Sequence, residues 1–368
     1  MKDEEKKYWL GFSAFPGIGP LRFKHLLKFF GTAEKAWQAD TKTLLQINLG
    51  EKLTAKFDHF RKTFQLDNYL KEIDKKDIKV VTIKEKIYPK LLSQISDAPF
   101  LLYVRGDVAI LNEVSPRIGV VGTRKITSYG ETVTRQITQE LVDSGMVIVS
   151  GMAYGVDAVA HQTAIDNGGK TMAVLGCGVD IIHPRVNTTL YWQIVKKYGA
   201  VISEFPVGMY ADKGLFPARN RIISGISLGV VVTEGAEDSG ALITAKFAAE
   251  QGREVFAVPG PITSQLSKGP TLLLKQGAKL VTEAKDILEE LNIKNQISKI
   301  KNTDQKSNLK LTKDEIKILE LLQNESLHFD EIVRKSGISS DKLASLLTMM
   351  EMKRIVKNLG GGMYQVDL

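Results

Sequence analysis

The sequence comprises 368 residues, of which 43% are hydrophobic, 25% are charged and a single one is cysteine. This length and composition predict two or three domains with full-sized cores, and a lone cysteine excludes disulfides and cysteine-rich metal sites. No apolar run approaches the ~18 residues that a membrane span needs, and the first residues show no signal-peptide pattern. We therefore expect a cytoplasmic protein without a membrane span.

The net charge of +8 is unevenly distributed along the chain. Residues 1–80 carry 16 basic and 11 acidic side chains, residues 81–290 carry 21 of each, and residues 291–368 carry 13 and 10. Because the large middle section is neutral, a polyanion site there requires a few well-placed basic groups rather than a general positive field.

The first 75 residues are predicted to form a helical domain with two glycine-containing hairpins. The segment Phe15–Pro20 precedes a helix predicted over 21–30, and a fainter copy at Ile47–Gly50 precedes a helix over 51–64. This pattern resembles the helix-hairpin-helix element of SAM-like domains, whose turn amides contact a nucleic-acid backbone without reading its sequence. The alternative is a small helical bundle that only packs against its neighbour.

Residues 76–290 alternate regularly between strand and helix patterns, after an extended lead-in over 80–104. This alternation is typical of an α/β fold with an extended Rossmann-like, doubly wound and mostly parallel sheet. The predicted strands are 118–121, 147–150, 172–175, 200–203, 230–233, 255–258 and 279–281. The predicted helices are 129–143, 156–167, 188–197, 217–225, 241–251 and 270–276.

The turn after the first predicted parallel strand has the composition of a phosphate site. The buried strand Ile118–Val121 breaks at Gly122, and Thr123 and Arg124 follow before the next helix. A glycine turn leaves amides, a hydroxyl and a fork-shaped cation at the carboxyl end of the sheet, which is a common way to hold a phosphate. The alternative is an ordinary strand-to-helix turn whose arginine is solvated.

Glycines or other small residues follow almost every predicted strand. Ligands of open α/β sheets bind at the carboxyl ends of the strands, so several close backbone approaches around one crevice favour a binding site over packing alone. The glycines concerned are Gly122, Gly151, Gly155, Gly176, Gly178, Gly235, Gly240 and Gly260, and Ser239 accompanies Gly240.

Cofactor motifs are missing from these strand ends. No Gly-x-Gly-x-x-Gly follows the first strand and no Gly-x-x-x-x-Gly-Lys-Ser/Thr occurs, so neither a dinucleotide nor a nucleotide-driven motor is expected. His161 and His183 have no partner at metal-ligand spacing. No motif links Cys177 to a base, so we interpret it as a packed thiol. We expect no cofactor and no metal.

A basic and aromatic segment joins a glycine-marked loop to a predicted helix start. Lys213, Arg219 and Arg221 can neutralise successive phosphates, with Asn220 between the arginines, and Phe216 offers a face on which an unpaired base can stack. Because duplex bases are already stacked on one another, this combination favours single strands.

The same segment also has a purely structural interpretation. Phe216 would then lie in the core, and Arg219 and Arg221 would pair with carboxylates such as Glu204 or Glu234. The residue pattern by itself leaves both interpretations open.

The last part of the chain is predicted to be a polar linker, residues 291–310, followed by a winged helix, residues 311–368. Its third helix has balanced charge, so contact with a protein is as well supported as contact with duplex DNA. Three predicted helices over 312–322, 329–335 and 340–353 precede strands at 355–356 and 363–366 around Gly360–Gly362.

Seven sequence blocks in order make the chain resemble the DprA/Smf family, the DNA-processing proteins of bacterial natural transformation. Together they cover residues 80–290 densely, and the flanking helical and winged-helix modules fit the long form of the family. The blocks are VGTR to Arg124, VSGMAYGVD to Asp157 with AH to His161, AVLGCGVD to Asp180, SEFP to Pro206, FPARNRIISG to Gly225, SGALITA to Ala245 and AEQGREVFAVPG to Gly260.

The resemblance implies a cytoplasmic homodimer that binds single-stranded DNA and is not an enzyme. It further implies loading of RecA onto incoming strands, against the barrier posed by single-strand binding protein. The residues expected to bind DNA or phosphate are Gly122, Thr123, Arg124, Gly151, Gly155, Lys213, Phe216, Arg219, Asn220, Arg221, Ser239 and Gly240.

The competing hypothesis is an enzyme that cleaves nucleoside monophosphates from their base. Rossmann-like relatives with that activity carry a Pro-Gly-Gly-x-Gly-Thr block followed by a glutamate at a similar strand end. Here the corresponding place, Thr233–Gly240, departs from that block but keeps Glu234, a conceivable general base. The other interpretation of Glu234 is that it caps backbone amides or pairs with an arginine.

Overall fold

The computed structural model describes residues 3–47, 49–112, 115–293, 312–322, 326–352 and 355–366. The chain divides into two compact units, of which the first ends at Ile293. The finer division at residue 75 stays a prediction, and the predicted linker lies outside the described residues beyond Ile293. None of the helices in the described part combines the length and apolar character that a bilayer crossing requires.

Six helices open the first unit within its described residues and pack around an aromatic cluster. Trp9, Phe12, Phe23 and Phe57 are fully buried there, and the rings of Phe12 and Phe57 stack with centroids 5.1 Å apart. Burial of so many rings makes this cluster a core in its own right. The helices are α1 (Asp3–Ala14), α2 (Pro20–Phe30), α3 (Ala33–Gln38), α4 (Thr41–Leu45), α5 (Glu51–Thr63) and α6 (Leu66–Lys75).

Helix α6 is hydrogen-bonded to loops of the sheet that follows. Lys76 Nζ, just beyond its end, lies 2.7 Å from the Asp180 carboxylate. The Tyr69 hydroxyl accepts a hydrogen bond from the Val207 amide at 3.0 Å. The other oxygen of Asp180 accepts from the Gly208 amide at 2.9 Å. The helices therefore hold the backbone at Val207 and Gly208, ahead of Lys213.

In the described part of the first unit, nine strands form one sheet in the order β1-β2-β6-β5-β4-β3-β7-β8-β9. Strands β1 and β2 are antiparallel to their neighbours and the others run parallel. The strands are β1 (Lys79–Thr82), β2 (Leu101–Gly106), β3 (Arg117–Val121), β4 (Val147–Ser150), β5 (Thr171–Val174), β6 (Gly199–Ser203), β7 (Gly229–Val232), β8 (Glu254–Ala257) and β9 (Lys279–Leu280).

This topology confirms the predicted doubly wound α/β fold. Each predicted parallel strand is present with bounds shifted by at most one residue. The central strands β3 to β7 are buried on both faces, which explains their continuous apolar runs. Strand order reverses between β3 and β7, so the crevice of such a fold lies above the carboxyl ends of these two strands.

The crossover helices agree with prediction except for one. The helix predicted over 188–197 is regular only over Thr188–Gln193, because Ile194–Tyr198 forms a π-helical turn that ends at Gly199 with φ +151°. The helices are α7 (Lys90–Ser93), α8 (Ser128–Asp143), α9 (Val156–Asp166), α10 (Thr188–Gln193), α11 (Leu215–Ile226), α12 (Gly240–Glu250), α13 (Lys268–Lys275) and α14 (Ala284–Glu290).

The second unit has the predicted winged-helix order of elements. Thr312 and Glu315 form the predicted capping box, with the Thr312 amide 2.7 Å from the Glu315 carboxylate. A short strand before the second helix, not predicted from the sequence, pairs with the last strand. The helices are Lys313–Leu322, Phe329–Ser336 and Ser340–Met352, and the strands are Leu327–His328, Val356–Gly360 and Met363–Val366.

Candidate nucleic-acid interface

A cavity of about 770 Å³ lies above β3 and β7, where strand order reverses. The turn after β3 and the beginnings of α11 and α12 supply most of its wall. Most of the residues predicted to bind DNA line it, namely Gly122, Thr123, Arg124, Lys213, Phe216, Arg219, Asn220, Ser239 and Gly240.

The turn after β3 is fixed by backbone contacts. A β-carbon on Gly122 would lie 2.5 Å from a methyl group of Val156 and 2.7 Å from the Glu234 carbonyl, so only glycine fits. The Thr123 amide donates to that same carbonyl at 2.7 Å, and the Lys125 amide donates to the Thr123 hydroxyl at 3.2 Å. The Thr123 amide is therefore already used within the protein, whereas the side chain of Arg124 is exposed at the cavity.

Arg124 lies on the ring of Phe216. The guanidinium carbon is 5.2 Å from the ring centroid, within the range of a cation–π contact. Gly176 also approaches this ring, since a β-carbon there would lie 3.0 Å from it, and the centroid of the His183 ring lies 5.9 Å from that of Phe216. Phe216 is thus half-buried at the cavity and does not lie in the core.

Lys213 is exposed in the loop that leads into α11, and it lines the cavity with Arg124. Neither side chain makes an ion pair with any carboxylate among the described residues. Two unpaired cations on one cavity wall form a local positive site within a section of the chain that is neutral overall.

The two arginines of α11 are bound to the protein itself. Arg219 is buried, lines the cavity wall and donates hydrogen bonds to the carbonyls of Gly151 and Val174 at the ends of β4 and β5. Arg221 lies outside the cavity and pairs with Glu204 at 2.6 Å and with Asp97 at 3.1 Å. Arg221 thus has the carboxylate partner that the structural interpretation predicted, and its contact with DNA stays a prediction that these ion pairs do not favour.

Burial explains the titration behaviour of these charged groups. Desolvation raises the pKa of Glu204 above its ordinary value, and the Arg221 charge opposes that rise. Desolvation likewise lowers the pKa of Arg219, while Asp157 opposes that fall. Both arginines act as internal cations that hold strand ends and helix together.

The remaining predicted residues shape the cavity in different ways. Gly151 leaves room for the Arg219 guanidinium, and Gly155 has φ +71° and lies against the Thr123 carbonyl, so neither offers a side chain to a ligand. Ser239 caps α12 by accepting from the Ala241 amide at 3.3 Å. Asn220 donates to the carbonyl of Gly240 at 3.2 Å. The beginning of α12 therefore faces the cavity, with a partial positive charge that favours anions.

Two family models match the chain. The model of DNA recombination-mediator protein A matches residues 79–292, and the DprA winged helix domain matches residues 303–362. The chain belongs to the DprA/Smf family. This confirms the resemblance carried by the seven blocks.

Individual relatives agree with this assignment. Protein Smf of Synechocystis is 40% identical over 294 residues, which cover 79% of this chain and 74% of the relative. DNA processing protein DprA of Bacillus subtilis is 44% identical over 218 residues, which cover 59% and 73%.

Two solved DprA structures share the fold. That of Streptococcus pneumoniae has a TM-score of 0.68 at 36% identity and covers 78% of this chain and 97% of its own. That of Helicobacter pylori, described for its single-stranded DNA binding mode, has a TM-score of 0.52 at 29% identity and covers 58% and 95%.

Glu234 caps the beginning of a helix in this member of the DprA/Smf family. Its buried carboxylate accepts from the Thr127 amide at 3.0 Å and from the Thr127 hydroxyl at 2.6 Å, at the beginning of α8. A side chain at Gly130 would collide with it. The interpretation of Glu234 as a residue that caps backbone amides is confirmed.

His161 and Cys177 are also internal. Burial lowers the pKa of His161 to about 3, and its Nδ1 lies 2.6 Å from the Thr171 hydroxyl. Burial raises the pKa of the Cys177 thiol to about 12, as expected for a packed thiol. The described residues contain no cluster of side chains that could hold a metal ion.

Sequence reasoning missed three charged residues of the cavity, Lys125, Asp157 and Asp238. Lys125 is exposed next to Arg124, and its position beside a predicted phosphate ligand was the available signal. Asp157 is buried and accepts from the amides of Gly151 and Ala153 at 3.1 and 3.2 Å. Burial raises its pKa, and the Arg219 charge opposes that rise.

Proposed function

We propose that the protein is a recombination mediator that binds single-stranded DNA in the cavity above β3 and β7. The observation that carries this proposal is the Arg124–Phe216 pair, a cation and an aromatic ring in contact at the mouth of a large cavity. The DprA of H. pylori, whose structure was described for its single-stranded DNA binding mode, supports the same class of ligand.

The cavity provides separate places for phosphate and base. Arg124 and Lys213 bind consecutive phosphates, and the amino end of α12 adds a favourable dipole. Phe216 stacks an unpaired base, a contact worth about 1–3 kcal/mol per base. In a duplex the same base stays stacked on its neighbours, so the ring discriminates between single and double strands.

Binding requires Arg124 to change partners. In the free protein its guanidinium covers the ring on which the base would stack. When a strand enters, the base replaces the guanidinium on Phe216, and Arg124 turns to a phosphate. The exchange keeps the ring covered in both states.

Family membership supports the wider role. We propose that this protein acts in the cytoplasm as a homodimer, protects incoming DNA during natural transformation, and loads RecA onto it in place of single-strand binding protein. Its role is binding rather than catalysis, because Glu234, the one conceivable base of the competing enzyme hypothesis, is held by Thr127.

A competition titration tests the proposal. Fluorescently labelled single-stranded DNA is displaced by unlabelled single-stranded or duplex DNA of the same sequence and length, and RecA filament formation is followed in parallel. We expect single strands to compete far better than duplex and RecA filaments to form faster with the protein present. Equal competition by duplex contradicts the stacking mechanism, and release of free base from nucleotides would instead support the enzyme.

A further inference from the structure

A second cluster of basic and aromatic residues lies on the opposite edge of the sheet. Lys170 immediately precedes β5, and Lys197 and Tyr198 immediately precede β6, so they lie at the amino ends of parallel strands. We call this cluster the amino-edge patch. It consists of Arg105, Lys170, Trp192, Lys196, Lys197 and Tyr198.

Two cations meet at the half-buried indole of Trp192. The Arg105 guanidinium carbon lies 4.6 Å from the indole ring, and Lys196 Nζ lies 6.0 Å from it. Arg105 comes from the antiparallel strand β2, and its guanidinium also donates to the Tyr191 hydroxyl at 3.3 Å. This bond and the stacking fix a planar cation at the surface of the patch.

Lys170 and Lys197 extend the patch along the sheet edge. Lys197 Nζ lies 5.1 Å from the Tyr198 ring, and Lys170 Nζ donates to the Lys197 carbonyl at 3.0 Å. Lys170 is half-exposed and lies 4.0 Å from Asp107. Within the described residues, Asp107 is the one carboxylate that forms an ion pair with a cation of the patch, and its partner is Lys170 alone. The patch, which has one arginine and three lysines, therefore has an excess of positive charge.

Local backbone structure places these cations together. The π-helical turn Ile194–Tyr198 ends at Gly199, where any side chain would collide with the Thr171 carbonyl. A π-turn inside a helix is uncommon and is often found at functional sites. The carboxyl end of a helix explains the presence of lysines, but it does not explain why an arginine from β2 stacks on the same indole.

We propose that the amino-edge patch binds a second segment of single-stranded nucleic acid. The three lysines contact phosphates, and the outer face of the Arg105 guanidinium, held on Trp192, stacks a base. Because the cavity lies at the carboxyl edge and the patch at the amino edge, two segments bind without competing for one site. The inference rests on the proposed function, since it takes single-stranded DNA as the ligand.

The test compares the wild type with the double variant Lys196→Gln, Lys197→Gln, using thymidine oligonucleotides of about 6 and about 40 nucleotides, sizes that bracket one and several binding segments. The control is Lys71→Gln, Lys75→Gln, which removes the same charge from exposed positions on α6. With the long oligonucleotide, the patch variant should lose affinity and about 1.4 units of salt slope, 0.7 for each phosphate contact. With the short oligonucleotide it should match the wild type.

Trp192 supplies an independent readout. Its fluorescence should change when the long oligonucleotide binds, and this change should disappear in Trp192→Phe, since Trp9 and Trp37 are buried among the N-terminal helices. Equal losses in the patch and control variants, or an unchanged salt slope, overturn the inference. An equal effect on duplex of the same length overturns the assignment to single strands. Failure of the wild type to bind even the short oligonucleotide contradicts the proposed function instead.

Discussion

Arg124 and Phe216 form a contact that, on the proposed function, would combine phosphate binding and base stacking in one place. The guanidinium is planar and permanently charged, so it can bind the ring in the free state and a phosphate in the bound state. A lysine at position 124 would keep the charge but would lose the planar stack. The contact therefore predicts separable effects of charge and shape.

Replacement of Arg124 by alanine should weaken binding of single-stranded DNA by about 1–3 kcal/mol, because a charge-assisted contact is lost. It should also lower the salt slope by about 0.7 to 1 unit. Fluorescence anisotropy titrations at several salt concentrations measure both quantities. An unchanged isotherm across the salt series would contradict the assignment.

The matched variant is Phe216→Ala, which removes the stacking face but no charge. Its affinity should fall by a similar amount, about 1–3 kcal/mol, while the salt slope stays that of the wild type. A parallel loss of salt slope would mean that the ring only holds Arg124 in position.

Arg221 should matter for stability rather than for DNA binding. Arg221→Ala leaves the buried Glu204 without its partner at 2.6 Å, and loss of one partner of a buried pair costs about 3–5 kcal/mol. Urea unfolding measures this loss. The double variant with Glu204→Gln should recover part of the stability. If Arg221→Ala instead unfolds as the wild type does but fails to bind DNA, the predicted DNA contact of Arg221 is supported.

His161 makes the first unit sensitive to acid. Its folded pKa of about 3 lies below the ordinary value of 6.5, so the unfolded chain binds a proton between these values and the folded chain does not. Stability from this group is complete above pH 6.5 and decreases as the pH falls toward 3, by up to about 2 kcal/mol between pH 7 and pH 5. Urea unfolding at both pH values measures the loss. In His161→Gln the decrease should be smaller, and identical pH dependence of the two proteins would exclude the group.

Among the elements, the strands were predictable because a central parallel strand is covered on both faces and reads as an unbroken apolar run. The end of α10 was not predictable, since a π-turn has no sequence signal of its own and Lys196 and Lys197 suit either helix type. The order of the strands follows from pairing between distant segments, yet the regular alternation already predicted where a crevice would open.

Helical periodicity predicts the direction of some side chains of α11 but not their partners. At about 100° per residue, Arg221 lies about 140° around the helix from Phe216, so the two side chains cannot both face the cavity. This separation was available from the sequence. The hydrogen bonds of Arg219 could not be predicted from the sequence, because its partners are carbonyls at the ends of β4 and β5, which the fold brings next to the helix.

Two glycines that line the cavity, Gly122 and Gly240, should respond differently to replacement by alanine. Gly122→Ala places a methyl group 2.5 Å from Val156, so the turn must shift, with a cost of about 1–3 kcal/mol and weaker DNA binding. Gly240→Ala adds a methyl group with nothing within 4 Å. Thermal unfolding and anisotropy titration of both variants should separate them, and equal behaviour would show that the turn tolerates displacement.

On the scale of the whole molecule, the division into two units predicts that the first unit alone binds single-stranded DNA. The cavity belongs entirely to the unit that ends at Ile293. A chain without residues 309–368 should therefore bind single-stranded DNA with nearly the affinity of the full chain, as measured by anisotropy. Near-complete loss of binding would mean that the interface is assigned to the wrong unit. The control is the same titration with the isolated C-terminal part, residues 309–368.

The Val207 amide donates to the Tyr69 hydroxyl, and the Gly208 amide donates to Asp180, which pairs with Lys76 at the end of α6. On the proposed function, these bonds would give the N-terminal helices a part in ligand binding. They restrain the start of the loop that presents Lys213, so the entropy of ordering that loop is lost during folding and not when a strand arrives. In a protein without these helices, the loop that carries this lysine would have to become ordered each time DNA binds, so the phosphate would be bound more slowly or more weakly.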